Sequence, residues 1–263
     1  YLSGASMTFR SGAQTAFLYD ALAERGTTDR FTGVFGRLMS ASCLMAAAAY
    51  WLGATLADIS FTWPYALTVM TGLAGATLAA GLRKPERERE VHAGIGQTIG
   101  AAMTIVRRRP GLAALLAFAA VLWTLVALIE LYAQAVLNEH GLTTSSIGLL
   151  IGGSFVLVAA GAWVAHRVTA RGGFTTWSAV LTAAVIAAGI GLGSGSLALA
   201  VATYVVAEFA IGVYEPILAD RVNRDLPAAQ RATILSVQGL LFSLTMIWAF
   251  RTGADQPGYA ALD

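Results

Sequence analysis

The chain has 263 residues, 57% of them hydrophobic and only 12% charged, and the charges are gathered into a few short stretches. Long uncharged runs remain between them, which a soluble domain would have to interrupt with a polar face every turn or two. The formal charge of +2 says little by itself, no nucleic-acid partner is expected, and the single Cys43, inside an apolar run, excludes an internal disulfide.

A bilayer core is crossed by roughly 20 apolar residues in a helix, and eight segments fit that length. In chain order they are 3–22, 38–57, 60–82, 111–136, 146–165, 174–191, 197–217 and 232–250. The first holds Arg10 and ends near Asp20. The next two are separated by Asp58. A hydrophilic stretch opening Arg83-Lys84-Pro85-Glu86 follows, in which Val91, Ile95, Ile99, Met103 and Val106 recur every three or four residues. That period predicts a helix with one apolar face, flanked by basic residues and suited to the membrane surface. The span 111–136 holds Glu130. An uncharged run from Gly172 to Ala207 is too long for one helix, and Gly191-Leu192-Gly193-Ser194-Gly195-Ser196 divides it in two. The span 197–217 holds Glu208 and Glu215, with Pro216 following. Continuous apolar runs, with no period-two alternation, point to helices and not to a barrel.

The expected fold class is therefore an all-α integral membrane protein of about eight transmembrane helices. Three spans make an N-terminal part, 1–82; residues 83–110 form a linker; five spans make a C-terminal part, 111–263. With alternate loops placed on opposite sides, every Lys and Arg outside the spans except Arg251 falls on one side. The positive-inside rule makes that side cytoplasmic, in a plasma or inner membrane. Tyr1 then lies at the outer face with no initiator Met, so the expectation is a truncated chain.

The stretch Phe9-Arg10-Ser11-Gly12-Ala13-Gln14-Thr15-Ala16-Phe17-Leu18-Tyr19-Asp20-Ala21-Leu22 resembles the fourth helix of a bacterial branch of the major facilitator superfamily. Gly33-Val34-Phe35-Gly36-Arg37 is similar to the basic loop leading into the fifth. Glu139 to Gly148, with Thr143, Thr144, Ser145 and Ser146, resembles the outer loop after the seventh, whose Thr and Ser cap the eighth. Leu226 to Ser236, including Gln230-Arg231, is similar to the inner loop and start of the eleventh. The resemblance implies the fourth through eleventh helices of a two-bundle transporter. It implies a lipid bilayer, a small-molecule substrate and protons as partners, no cofactor, and alternating access. Two departures stand out. Ala165 occupies the place of the Asp in the family's loop motif within Gly161 to Arg167, and 38–57 lacks the Pro of the antiporter motif.

Ionisable residues inside spans cost roughly 2.5 to 3.5 kcal/mol each and are functional candidates by default. Arg10 loosely resembles the fourth-helix Arg that the family uses in proton or substrate handling; an interhelical pair that fixes packing is the equal alternative. Glu130 is the first choice for proton uptake and release, unless it sits at the hydrated outer interface. Glu208, at mid-span, either pairs with a cation or carries a proton. Asp20, Glu215, Arg221 and Arg224 are assigned to a cytoplasmic gate.

Enzymatic readings find no support. His92, His140 and His166 are far apart, no phosphate-cradling motif occurs, and Ser154 in Gly152-Gly153-Ser154 suits helix packing better than nucleophilic attack. The functional expectation is proton-coupled efflux of a small amphipathic molecule. The alternative is a truncated or degenerate membrane protein that needs a partner.

Overall fold

The computed structural model describes residues 15–60, 62–81, 95–169, 172–224, 226 and 228–254, and among these residues it contains helices and no strand. Helix α1 is described over 15–24. A 3-10 turn, Thr28–Arg30, leads into α2 (Phe31–Ile59), followed by α3 (Thr62–Ala80), α4 (Ile95–Arg108), α5 (Pro110–Glu139), α6 (Thr144–Val168), α7 (Phe174–Gly193), α8 (Leu197–Arg224) and α9 (Ala228–Ala254).

Six of these helical segments are long and apolar enough to cross a membrane: Thr28–Gly53, Pro110–Glu139, Ser145–Val168, Phe174–Gly193, Leu197–Arg224 and Thr233–Arg251. They correspond to six of the eight segments read from the sequence. Most of the expected span 3–22, including Arg10, lies outside the described residues. The expected span 60–82 is helix α3, uncharged over 19 residues, yet it is not among the six. Its opening Trp63-Pro64-Tyr65 and its four threonines, Thr62, Thr68, Thr71 and Thr77, dilute its apolar character.

Helix ends follow local chemistry. The α5 helix stops at Gly141, whose φ of 81° is a conformation other residues resist. There the Gly141 amide bonds the Asn138 carbonyl and the Leu142 amide bonds that of Leu137, which satisfies two end carbonyls. Thr143 then caps α6, its hydroxyl accepting from the Ser146 amide at 3.2 Å, as the Thr/Ser run led us to expect. The break read at 191–196 is the turn between α7 and α8.

The chain forms two compact units. One comprises 1–28, 87–128 and 219–263, and so includes α1, α4, most of α5, the end of α8 and α9. Here α4 packs against α9, and the Thr124 and Thr245 hydroxyls join α5 to α9 at 2.5 Å.

The other comprises 29–86 and 129–218. Its centre is the close contact of α2 with α6. Gly36, Ser40, Cys43 and Ala47 line one face of α2 at spacings of four, three and four, and all four are buried. Helix backbones approach closely only where side chains are small. A Cβ at Gly36 would overlap the Ala162 carbonyl, and one at Gly212 of α8 would overlap that of Val158. The α6 helix is thus held tightly by α2 and by α8. Cys43, Val158 and Ala159 form a buried apolar cluster there, with Met39 and Phe155 packed against it.

Candidate functional site

Polar side chains inside these helices fall into two groups, one in each unit. In the unit containing 129–218, Glu208 lies in the middle of α8 and is only 4% exposed. Tyr204 is one turn earlier on the same face, the i, i+4 spacing that brings helical side chains together. Its hydroxyl lies near the Glu208 carboxylate and 3.5 Å from the Ser154 hydroxyl of α6. Ser154 also donates to the Ile151 carbonyl at 2.8 Å. Polar contacts therefore run from α6 to Tyr204, with Glu208 one turn beyond it, wholly among buried residues.

Glu130 on α5 is exposed and Glu215 on α8 is half-buried. Glu130 lies within electrostatic range of both Glu208 and Glu215. Two of the residues read from the sequence as proton or substrate candidates, Glu130 and Glu208, are thus close enough to interact electrostatically. Glu215, read as part of a gate, joins the same carboxylate group. Pro216, fully buried, follows it and leaves the i−4 carbonyl, that of Gly212, without its helical partner.

In the other unit, Asp20 at the end of α1 pairs with Arg231 in the first turn of α9. Both side chains are buried, at 10% and 7% exposure. The Arg231 guanidinium also donates to the Leu226 carbonyl at 3.0 Å and lies 4.4 Å from the centre of the Tyr19 ring. A desolvated cation thus has a carboxylate, a carbonyl and a π face around it, while its buried Nε has no hydrogen-bond partner. Arg224 pairs with Asp220 one turn back on α8 at 2.8 Å, and Arg221 is exposed. Arg224, one of the two arginines read with Glu215 as a gate, is engaged by Asp220.

Arg231, Tyr204 and Asp220 were not singled out from the sequence. For Tyr204 and Asp220 a signal existed, since each stands four residues before a charged group on its own helix face, Glu208 and Arg224. Arg231 pairs across 211 positions, and no local spacing announces that. Ser154, read as a packing residue, is also a polar link to Tyr204.

A sequence profile of the Major Facilitator Superfamily matches residues 4–250. Among curated proteins and among solved structures, nothing matches the chain. The profile covers most of the chain, and the described helices include six able to cross a bilayer. The chain therefore belongs to the Major Facilitator Superfamily, a multi-pass membrane protein of the secondary-transporter class and not an enzyme.

Proposed function

We propose that the protein is a proton-coupled efflux transporter of a small amphipathic molecule, working by alternating access with eight spans and with its basic loops in the cytoplasm. The observation that carries the coupling is Glu208, buried at mid-helix, beside Tyr204 on the same helix face and within electrostatic range of Glu130. A carboxylate as deep in an apolar span as that of Glu208 requires a counter-charge, and a proton or a cationic substrate supplies one. Exchange of the two at Glu208 and Glu130 would couple their movements. Arg10 keeps its place in the pathway on the sequence reading alone.

Asp20 and Arg231 act as a cytoplasmic latch in this account, with Glu215, Arg221 and Arg224 as further gate residues. The pair joins segments resembling the fourth and eleventh helices, so it forms and breaks as access alternates. The experiment is uptake of a fluorescent amphipathic amine into proteoliposomes under an imposed pH gradient. Gradient-driven accumulation by the unmodified chain and its loss in Glu208→Gln support the reading. Accumulation indifferent to the gradient would remove proton coupling.

A second reading, a chain that transports only with a partner, is favoured by α3. No described side chain of that helix is buried, and Tyr65 and Leu78 are 72% and 76% exposed. Its test is the mass of the assembly extracted from the membrane.

A further inference from the structure

Two buried polar atoms where α8 gives way to α9 have no hydrogen-bond partner among the described residues, and they are complementary. One is a donor, the Nε of Arg231; the other is an acceptor, the Oδ1 of Asn223. Asn223 is wholly buried in the last turn of α8, and Arg231 is 6% exposed. The orientation of the amide is fixed by its surroundings. Its Nδ2 donates to the Ala219 carbonyl at 2.7 Å, and a reversed amide would set two oxygens against each other there. Oδ1 is therefore the unused acceptor.

Leu226 connects the two side chains. Its amide donates to the Asn223 carbonyl at 3.4 Å, and its own carbonyl accepts from the Arg231 guanidinium at 3.0 Å. Leu226 is itself buried. Asn223 and Arg231 thus belong to one short stretch of chain, whereas Asp20, which pairs with Arg231, belongs to α1. When α1 and α9 part, Asn223 stays with Arg231 and Asp20 does not. A buried guanidinium that loses its carboxylate is strongly destabilised unless another acceptor is at hand. The Leu226 carbonyl alone leaves most of its donors unmet. A carboxamide oxygen meets one more and, being neutral, holds the cation less tightly than a carboxylate does, so Asp20 can reclaim it.

We propose that Asn223 is the second acceptor of Arg231, taking its guanidinium when Asp20 releases it. The inference deepens the latch reading and rests on it, with Asn223 as a positioning residue that acts through Arg231.

The test is a set of double-mutant cycles on the full chain in detergent, read by thermal midpoint, together with transport in proteoliposomes. Asn223→Leu removes the acceptor and nearly keeps the volume. In the unmodified chain that acceptor is unused, so the substitution should leave the midpoint within about 2 °C or raise it. In an Asp20→Asn background Arg231 depends on it, and the same substitution should lower the midpoint by roughly 5 °C. Asn223→Asp should restore part of the loss in that background, because it supplies the missing carboxylate. Equal effects of Asn223→Leu in both backgrounds, with no rescue by Asn223→Asp, would make Asn223 a packing residue and overturn the proposal. So would a larger loss from Asp225→Asn than from Asn223→Leu in the Asp20→Asn background, which would give the role to Asp225, a residue outside the described ones. If Asp20→Asn alone fails to assemble, Asp20→Asn/Asn223→Asp should assemble, and its failure contradicts the proposal.

Transport separates this inference from the latch. Coupling in the midpoints, with a transport rate about tenfold lower in Asn223→Leu, supports both. Coupling with an unchanged rate upholds Asn223 as the second acceptor and removes the latch, because Arg231 then does not leave Asp20 during turnover.

Discussion

Arg231 and Asp20 form a buried ion pair across 211 positions of sequence, tying the start of α9 to the end of α1. Removing one member strands the other in an apolar setting, which costs about 3 to 5 kcal/mol, whereas removing both strands nothing. Asp20→Asn and Arg231→Gln should therefore each lower the thermal midpoint in detergent sharply, and the double variant should recover part of the loss. A double variant equal to the sum of the singles would show that the two residues act independently. Arg231→Lys should fall between, because an ammonium group cannot engage Asp20, the Leu226 carbonyl and the Tyr19 face together.

The contact between α2 and α6 should respond to side-chain volume at one glycine and ignore it at another. Gly36→Ala places a methyl group against the Ala162 carbonyl, with the Pro216 ring 3.7 Å away, and overpacking of this kind costs about 1 to 3 kcal/mol. Gly53→Ala, on the same helix, meets nothing within 4 Å and should be neutral or gain about 0.5 to 1 kcal/mol from helix propensity. Thermal melts of the two variants in one detergent give the comparison. Equal behaviour would mean that the helices are not in close contact at Gly36.

Cys43 is the chain's single cysteine and sits in that contact beside Val158 and Ala159. It is a ready reporter of whether α2 and α6 separate. A maleimide should label it slowly in the resting protein, because the thiol is 9% exposed. Alternating access requires the contact to loosen in part of the cycle, so substrate or a pH gradient should change the labelling rate severalfold. A rate that stays constant under every condition would indicate a fixed seam, with the movement located elsewhere.

Much of this architecture could be read from residue order, because membrane helices are declared by length and apolarity. The turn at Ser194 to Ser196 and the cap at Thr143 were both legible, since each depends on neighbours in sequence. Helix boundaries were less so. Charges were taken as ends, yet α2 starts before Arg37 and continues through it. The Arg37 guanidinium lies 5.7 Å from the centre of the Trp163 ring on α6, so the charge has a place beside the helix contact. The α8 helix similarly runs past 217 to Arg224, because Asp220 and Arg224 neutralise each other one turn apart. Glu130 and Glu208 could be named as costly residues, but their proximity depends on how α5 and α8 are placed, which no run of residues encodes. The α3 segment, uncharged over 19 residues, is not among the six because its threonines and its Trp63-Pro64-Tyr65 opening dilute its hydropathy.

The Tyr204 hydroxyl should tune Glu208 without being required for transport. Tyr204→Phe removes the hydroxyl beside Glu208 and the link to Ser154 while keeping the ring. The expected result is a displaced pH profile of transport with the maximal rate within about tenfold of the unmodified chain, since a neutral polar contact contributes only about 0.5 to 1.5 kcal/mol. A profile that does not move would separate Tyr204 from the proton pathway.

The most direct test of the central claim is the pH dependence of transport in proteoliposomes for the unmodified chain, Glu208→Gln and Glu130→Gln, each at matched membrane levels. Glutamine keeps the size of the side chain and removes its ability to take a proton. The account expects the unmodified chain to follow the imposed proton gradient, and at least one of the two variants to lose that dependence. An unchanged pH profile in both variants would contradict it, and the carboxylates on α5 and α8 would then be structural.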